Sequence, residues 1–339
     1  KLIEVLKTSS EFNAKADACR ELASIGTADA VPALAALLPD EKLSHMARYG
    51  LETIQEPAAD GAFRDALGKL KGRPLVGAIG SIGVRRDEKA VAALVKLLKD
   101  PDADVAQASA RAIGTIGGEA AVKGLEGALA GASPASQLAL CEGLLRCAET
   151  FTAKGQSDKA VAVYDSLRTL KGLPHQVRTA AWRGAIIARQ KGAVPLLLEA
   201  LRSEDSALST AALRIAVEIR DPGVTKALAG ELGKLPVERS AQLCNVLGKR
   251  GDAAALPALT GLAKTGEKTV RIAAIRAVAE IGSAEAAATF LELLTDQDGE
   301  IAQAASAGLA GLPGAAVDAV VTRTLDSAVP AVQLKMIEM

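Results

Sequence analysis

Apolar residues recur along this chain in paired helical segments. One run carries apolar positions every three to four residues. A short acidic or Gly/Pro turn follows, then a second such run and a glycine-containing exit. The pattern is clearest where Asp100-Pro101-Asp102-Ala103-Asp104-Val105 leads to Arg111-Ala112-Ile113-Gly114-Thr115-Ile116-Gly117. It returns as Lys268-Thr269-Val270-Arg271 leading to Ala279-Glu280-Ile281-Gly282, and again from Asp296 to Leu312. The phrase recurs about ten times at intervals of roughly thirty residues, the mark of one supersecondary unit stacked along an axis.

The second helix of each hairpin, helix B, has a countable register. Its opening and closing apolar residues are eleven apart in five units: Leu43 and Ile54, Val105 and Ile116, Leu208 and Ile219, Val270 and Ile281, Ile301 and Leu312. Eleven residues is close to three helical turns, so both ends point the same way. The register predicts that Val105, Ile116, Val270 and Ile281 are buried, with Gln107 and Arg111 accessible. Exit glycines at Gly26, Gly83, Gly117, Gly248 and Gly282 read as helix stops. Pro32, Pro195 and Pro257 fit the first turn of helix A. Between about 136 and 192 the spacing stretches, and Gly155 to Ala160 followed by Tyr164 looks like a tetratricopeptide helix, so longer helices and a bend or twist discontinuity are expected there.

The residue content narrows the class. The chain is 49% hydrophobic but 2% aromatic, so its core must be built from Ala, Leu, Val and Ile. Lys plus Arg and Asp plus Glu each number 40, a net charge of zero, without the basic surplus of a nucleic-acid binder. Cys19, Cys141, Cys147 and Cys244 form no CxxC pair and fall in apolar helical runs, as buried free thiols do. No stretch approaches the roughly 20 apolar residues that span a bilayer, so no membrane insertion is expected. No signal peptide is visible, and the compartment is not legible. The chain opens at Lys1 without an initiator Met, which reads as a removed leader or part of a longer protein.

The phrases at 100–105, 112–117 and 276–282 resemble the HEAT repeat family, in particular the short HEAT-like repeats of phycobilisome lyases. The resemblance covers essentially the whole chain. It implies an all-α fold, a right-handed α-solenoid superhelix of about ten to eleven helical hairpins in a single array over 1–339. It also implies adaptor and scaffold functions, and it places helix B on the concave surface.

Candidate chemistry is sparse. A HEAT-type enzyme such as deoxyhypusine hydroxylase carries His-Glu pairs that hold a di-iron centre. Here the residues after His45 and His175 are Met46 and Gln176, and no cofactor is expected. The acidic phrases at 100–104 and 296–300 fail the calcium-loop pattern: the required Gly is Val105 or Ile301, and the required Glu is Arg111 or Ala307. They read instead as turn formers and helix B caps. Gly77, Gly80 and Gly83 suit close helix packing better than phosphate binding. No nucleophile elbow, phosphate loop or triad appears.

The most suggestive surface feature is an arginine column. Arg111, Arg183, Arg214 and Arg276 share the helix B position six residues past the opener, beside Gln107. With helix B on the concave surface, the column would grip carboxylates, sulfates or phosphates bidentately. Against this, Glu218 and Glu280 lie four residues after Arg214 and Arg276 and are placed to pair with them. The leading expectation is a non-enzymatic scaffold that binds another protein, or further domains of the same polypeptide, through its curved surface. A second is a building block that self-associates end to end through uncapped ends into an oligomer or filament. A half repeat carrying Leu325, Val329 and Leu334 calls for cover by a continuation of the chain or another copy. A nucleic-acid or glycan binder is disfavoured by charge and by the few aromatic groups.

Overall fold

In a computed structural model, the described residues are 1–312 except 220, together with 314, 322 and 333. Among them the chain is all-α, with no strand. It divides into two compact units, 1–188 and 189–339.

The first unit carries α1 (Leu2–Thr8), α2 (Phe12–Ile25), α3 (Val31–Ala35), α4 (Ser44–Thr53), α5 (Pro57–Leu67), α6 (Gly72–Arg85), α7 (Val91–Leu97), α8 (Ala103–Ile116), α9 (Glu119–Leu129), α10 (Pro134–Ala153), α11 (Ser157–Thr169) and α12 (His175–Ala188). The second carries α13 (Ala193–Arg202), α14 (Ser206–Glu218), α15 (Pro222–Ala229), α16 (Val237–Arg250), α17 (Leu256–Thr265), α18 (Lys268–Ile281), α19 (Ala287–Leu293) and α20 (Gly299–Ala310). Each odd-numbered helix and the even one after it form a hairpin, ten within the described residues. Even helices pack on even helices, α2 through α12 in one unit and α14 through α20 in the other. This is α-solenoid packing. The half repeat expected at Leu325, Val329 and Leu334 lies outside the described residues.

Local chemistry sets the helix ends. Asp102, Asp205 and Asp298 cap α8, α14 and α20, their carboxylates accepting backbone N–H bonds from Asp104, Ala207 and Glu300 at 2.9, 3.0 and 3.0 Å. The acidic phrases are therefore caps. Pro32 and Pro257 sit in the first turns of α3 and α17, and Pro195 is the third residue of α13. Helix A commonly begins with a 3-10 turn, as at Ala28–Ala30, Glu88–Ala90 and Ala253–Ala255.

The exit glycines divide. Gly117 and Gly282 end α8 and α18 with φ of 73° and 72°, the left-handed region glycine tolerates. Gly26 ends α2 with extended backbone instead. Gly83 and Gly248 are not stops: α6 and α16 run on to Arg85 and Arg250. They are small because the next layer lies against them. A Cβ on Gly83 would stand 3.0 Å from Ala112 Cα, and one on Gly248 2.9 Å from Ala277 Cα. At the tightest such crossing, a Cβ on Gly114 would stand 2.6 Å from Gly143 Cα. Of the α6 glycines, Gly77 is covered by the Arg48 guanidinium, whereas Gly80 faces open space.

The core is aliphatic, with Phe63 and Phe290 among its largest enclosed side chains. All four thiols are buried. Burial pushes Cys19 and Cys141 up to about 11 and Cys147 and Cys244 to about 12. Val105, Ile116 and Val270 are buried, as the register requires. Ile281 is only half-buried, and so is Ile219. Coverage explains the difference. α10 has 20 residues and places Thr150 against Gly117 at the end of α8, whereas α20 has 12 and ends at Ala310.

Inter-layer arginines tie helix ends together. Arg85 donates to the carbonyls of Leu51, Glu52 and Ile54 at 3.2, 2.9 and 2.6 Å, and its Nε pairs with Asp60 at 2.5 Å. Arg250 donates to Ala216, to Ile219 at 2.5 Å, and to Asp221 and Thr225 at 3.0 Å each.

Candidate functional site

The sequence-selected arginines all lie on even-numbered helices and are all exposed: Arg111 on α8 and Arg183 on α12, Arg214 on α14 and Arg276 on α18. Gln107, one turn before Arg111, is half-buried. Members of one unit are not on consecutive even-numbered helices. α10 packs between α8 and α12, and α16 between α14 and α18.

The intervening α10 supplies Arg146, which the register missed because α10 belongs to the stretched unit. Arg146 is exposed, and its Nη1 donates to Thr115 Oγ1 at 3.3 Å, one turn past Arg111. Arg183 stands near Tyr164, whose phenol is pushed up first by burial and then by Glu149, and drawn back by Thr152 and the Arg183 charge.

The state of each guanidinium decides what it offers. Arg64, Arg85, Arg168, Arg202 and Arg271 are all paired, with Asp87, Asp60, Asp165, Glu231 and Asp296 respectively. Among the described residues, Arg111, Arg214 and Arg276 enter no ion pair. The intrahelical pairing with Glu280 does not neutralise Arg276. Glu280 turns toward α16, its Oε2 2.6 Å from where a Gly248 Cβ would stand. Arg276 instead lines an open groove of about 480 Å3 between α18 and α20, together with Ile272, Ala279, Gln303, Ala304 and Ala307 among others.

Gln303, exposed on α20, belongs to the same face. It stands two residues past Ile301, as Gln107 stands two past Val105, so the same register would have found it.

In a second groove Arg20 and Glu52 are already engaged. A shallow groove beside α4 is lined by Arg20, His45, Arg48, Tyr49 and Glu52. Arg20 pairs there with Asp17 at 2.9 Å, and Glu52 accepts from Ser81 Oγ at 2.6 Å. His45 and His175 are exposed. No group of three or more His, Cys, Asp or Glu among the described residues is placed to hold a metal ion. No helix among them is long and apolar enough to cross a membrane.

Residues 75–144 and 234–310 match the model of HEAT repeats. No curated protein matches the sequence. Among solved structures, a chain of the Kap95p–RanGDP complex is similar at 14% identity and a TM-score of 0.52, over 99% of this chain and 53% of that one. Importin beta crystallised in ammonium sulfate is 12% identical with a TM-score of 0.45, over 99% and 54%. Human deoxyhypusine hydroxylase in complex with glycerol is 18% identical with a TM-score of 0.36, over 77% and 99%. This chain thus spans about half the length of the first two, 53% and 54%. The likeness to the Kap95p–RanGDP chain shows a shared α-solenoid fold.

Proposed function

We propose that this chain, whose residues 75–144 and 234–310 match HEAT repeats, is a non-enzymatic scaffold that binds a protein partner on the exposed face of the even-numbered helices within a unit. One observation carries the reading. Arg111, Arg214 and Arg276 recur at one register position, all exposed and without an ion pair among the described residues, while Arg64, Arg85, Arg202 and Arg271 are each paired with a carboxylate. An unpaired guanidinium on a rigid helix offers a bidentate carboxylate site at little ordering cost. The neutral overall charge agrees with recognition by a few placed cations rather than by a broad basic field.

The test is crosslinking of the purified chain to binding proteins, followed by the triple variant Arg111→Ala, Arg214→Ala, Arg276→Ala. Partner recovery should fall sharply while helicity stays unchanged. If the chain captures nothing and its light scattering instead grows with concentration, it is a self-associating building block and the scaffold reading fails.

A further inference from the structure

The α18–α20 groove combines three features that the other grooves lack together. Its floor is small and apolar, from Ala279, Ala304, Ala307 and Gly308. Gly308 is held free of a side chain by the Phe290 ring beneath, 3.0 Å from where a Cβ would stand. On one wall is Arg276, exposed and without an ion pair among the described residues. On the other is Gln303, exposed, with an amide that both donates and accepts.

The carboxylates at the rim of the groove already share a cation. Lys268 holds Glu300 at 2.8 Å and Asp298 at 2.9 Å. Those bonds raise Lys268, and the Lys268 bond, aided by backbone bonds and opposed by burial, holds Asp298 below its ordinary value. Of the two charged residues lining the groove, Glu300 is thus paired and Arg276 has no ion pair among the described residues, so the complement of Arg276 is an anion.

Width and polarity narrow the class. A floor of alanines accepts small or medium apolar side chains. An extended strand sends alternate side chains to opposite sides, and its backbone presents the N–H and C=O groups that a glutamine amide pairs with. We propose that this groove takes an extended acidic segment of a partner protein. One carboxylate sits on Arg276, the segment's backbone bonds to Gln303, and an apolar side chain lies against Ala304 and Ala307. The proposal rests on the scaffold reading above and names the class of partner for one part of that face.

The test uses the full chain and an array of synthetic octapeptides in which Asp or Glu alternates with Ala, Val or Leu. Matched arrays carry Asn or Gln, or Lys, at the charged places. The strongest binder is then titrated in solution by fluorescence polarisation. The acidic array should bind and the other two should not. Arg276→Ala and Gln303→Ala should each weaken binding, the first by about ten-fold or more, as loss of a charge-assisted hydrogen-bond partner does. Ala307→Trp should block the groove; Ala307 is exposed, so this variant should keep its fold, checked by circular dichroism. Lys7→Ala, at an exposed position on α1, should leave this peptide's affinity unchanged. Acidic peptides that bind Arg276→Ala and Ala307→Trp as tightly as the parent overturn the groove assignment and leave the scaffold reading standing. Equal binding to the Lys array overturns the acidic class. If all three arrays fail to bind while crosslinking still recovers a protein partner, the groove assignment falls alone; if crosslinking fails too, the scaffold reading falls with it.

Discussion

Arg85 donates from Nη1 to the carbonyl oxygen of Ile54 at 2.6 Å, across 31 positions of sequence. It thereby satisfies the end of one helix B from the helix B of the next layer. Arg250 and Ile219 repeat the relationship in the other unit, again 31 positions apart, with Thr225 standing where Asp60 stands for Arg85. The last carbonyls of a helix have no intrahelical donor, and a planar guanidinium reaches several at once. Arg85→Ala and Arg250→Ala should each cost about 2–4 kcal/mol, because each leaves several part-buried carbonyls without a donor. Lys should not rescue either position, since one ammonium cannot span the set. Urea denaturation of the single variants checks both.

The close crossing at Gly114 predicts an asymmetry among glycines. Gly114→Val should destabilise by about 1–3 kcal/mol through overpacking against Gly143. Gly80→Ala, in mid-α6 facing open space, should stabilise by about 0.5–1 kcal/mol. Thermal melting of the two variants should move in opposite directions.

Coverage by the next layer should grade the closing positions of helix B. Ile116→Ala should cost about 2–5 kcal/mol through its cavity. Ile281→Ala should cost less, because that side chain is only half-buried. Equal losses in chemical denaturation would contradict the coverage argument.

Acid should weaken the second unit first through Glu231. Its side chain is 4% exposed and takes two bonds of 2.7 Å from Arg202. Those bonds, with the Arg202 and Lys234 charges and against burial, hold the carboxyl below its ordinary 4.5. A depressed folded value means the stabilisation is complete above about 4.5 and is lost as pH falls through the folded value. Glu231→Gln should lower stability at pH 7 and flatten its decline toward pH 3, read from urea midpoints.

The thiols predict the opposite limb. With folded values of about 11 to 12 against an ordinary 9.0, protonated cysteine is favoured in the fold. Stability is therefore unaffected below about pH 9 and declines as pH rises from there toward the folded values. At pH 8 the four thiols should resist a disulfide reagent until the chain is unfolded by denaturant. Rapid labelling of the native chain would show that they are not enclosed.

The fold was legible because its determinants are local and repeated. The eleven-residue register, the aspartate caps at Asp102 and Asp298 and the aliphatic composition are properties of short windows, so the α-hairpin repeat, the buried openers and the enclosed thiols could be read from residue order. The exposure of the four arginines followed from the same period. What the tertiary structure decided are relations between layers, which periodicity within one helix does not encode. Gly83 and Gly248 looked like stops, yet they are crossings, because only the neighbouring helix determines whether a Cβ has room. Glu280 stood one turn from Arg276 and still faced the other way, toward α16. Arg85 and Arg250 had no place in the register at all, because their partners lie 31 residues back in the preceding layer. One helix has two neighbours in its stack, and only packing decides which of them a long side chain meets.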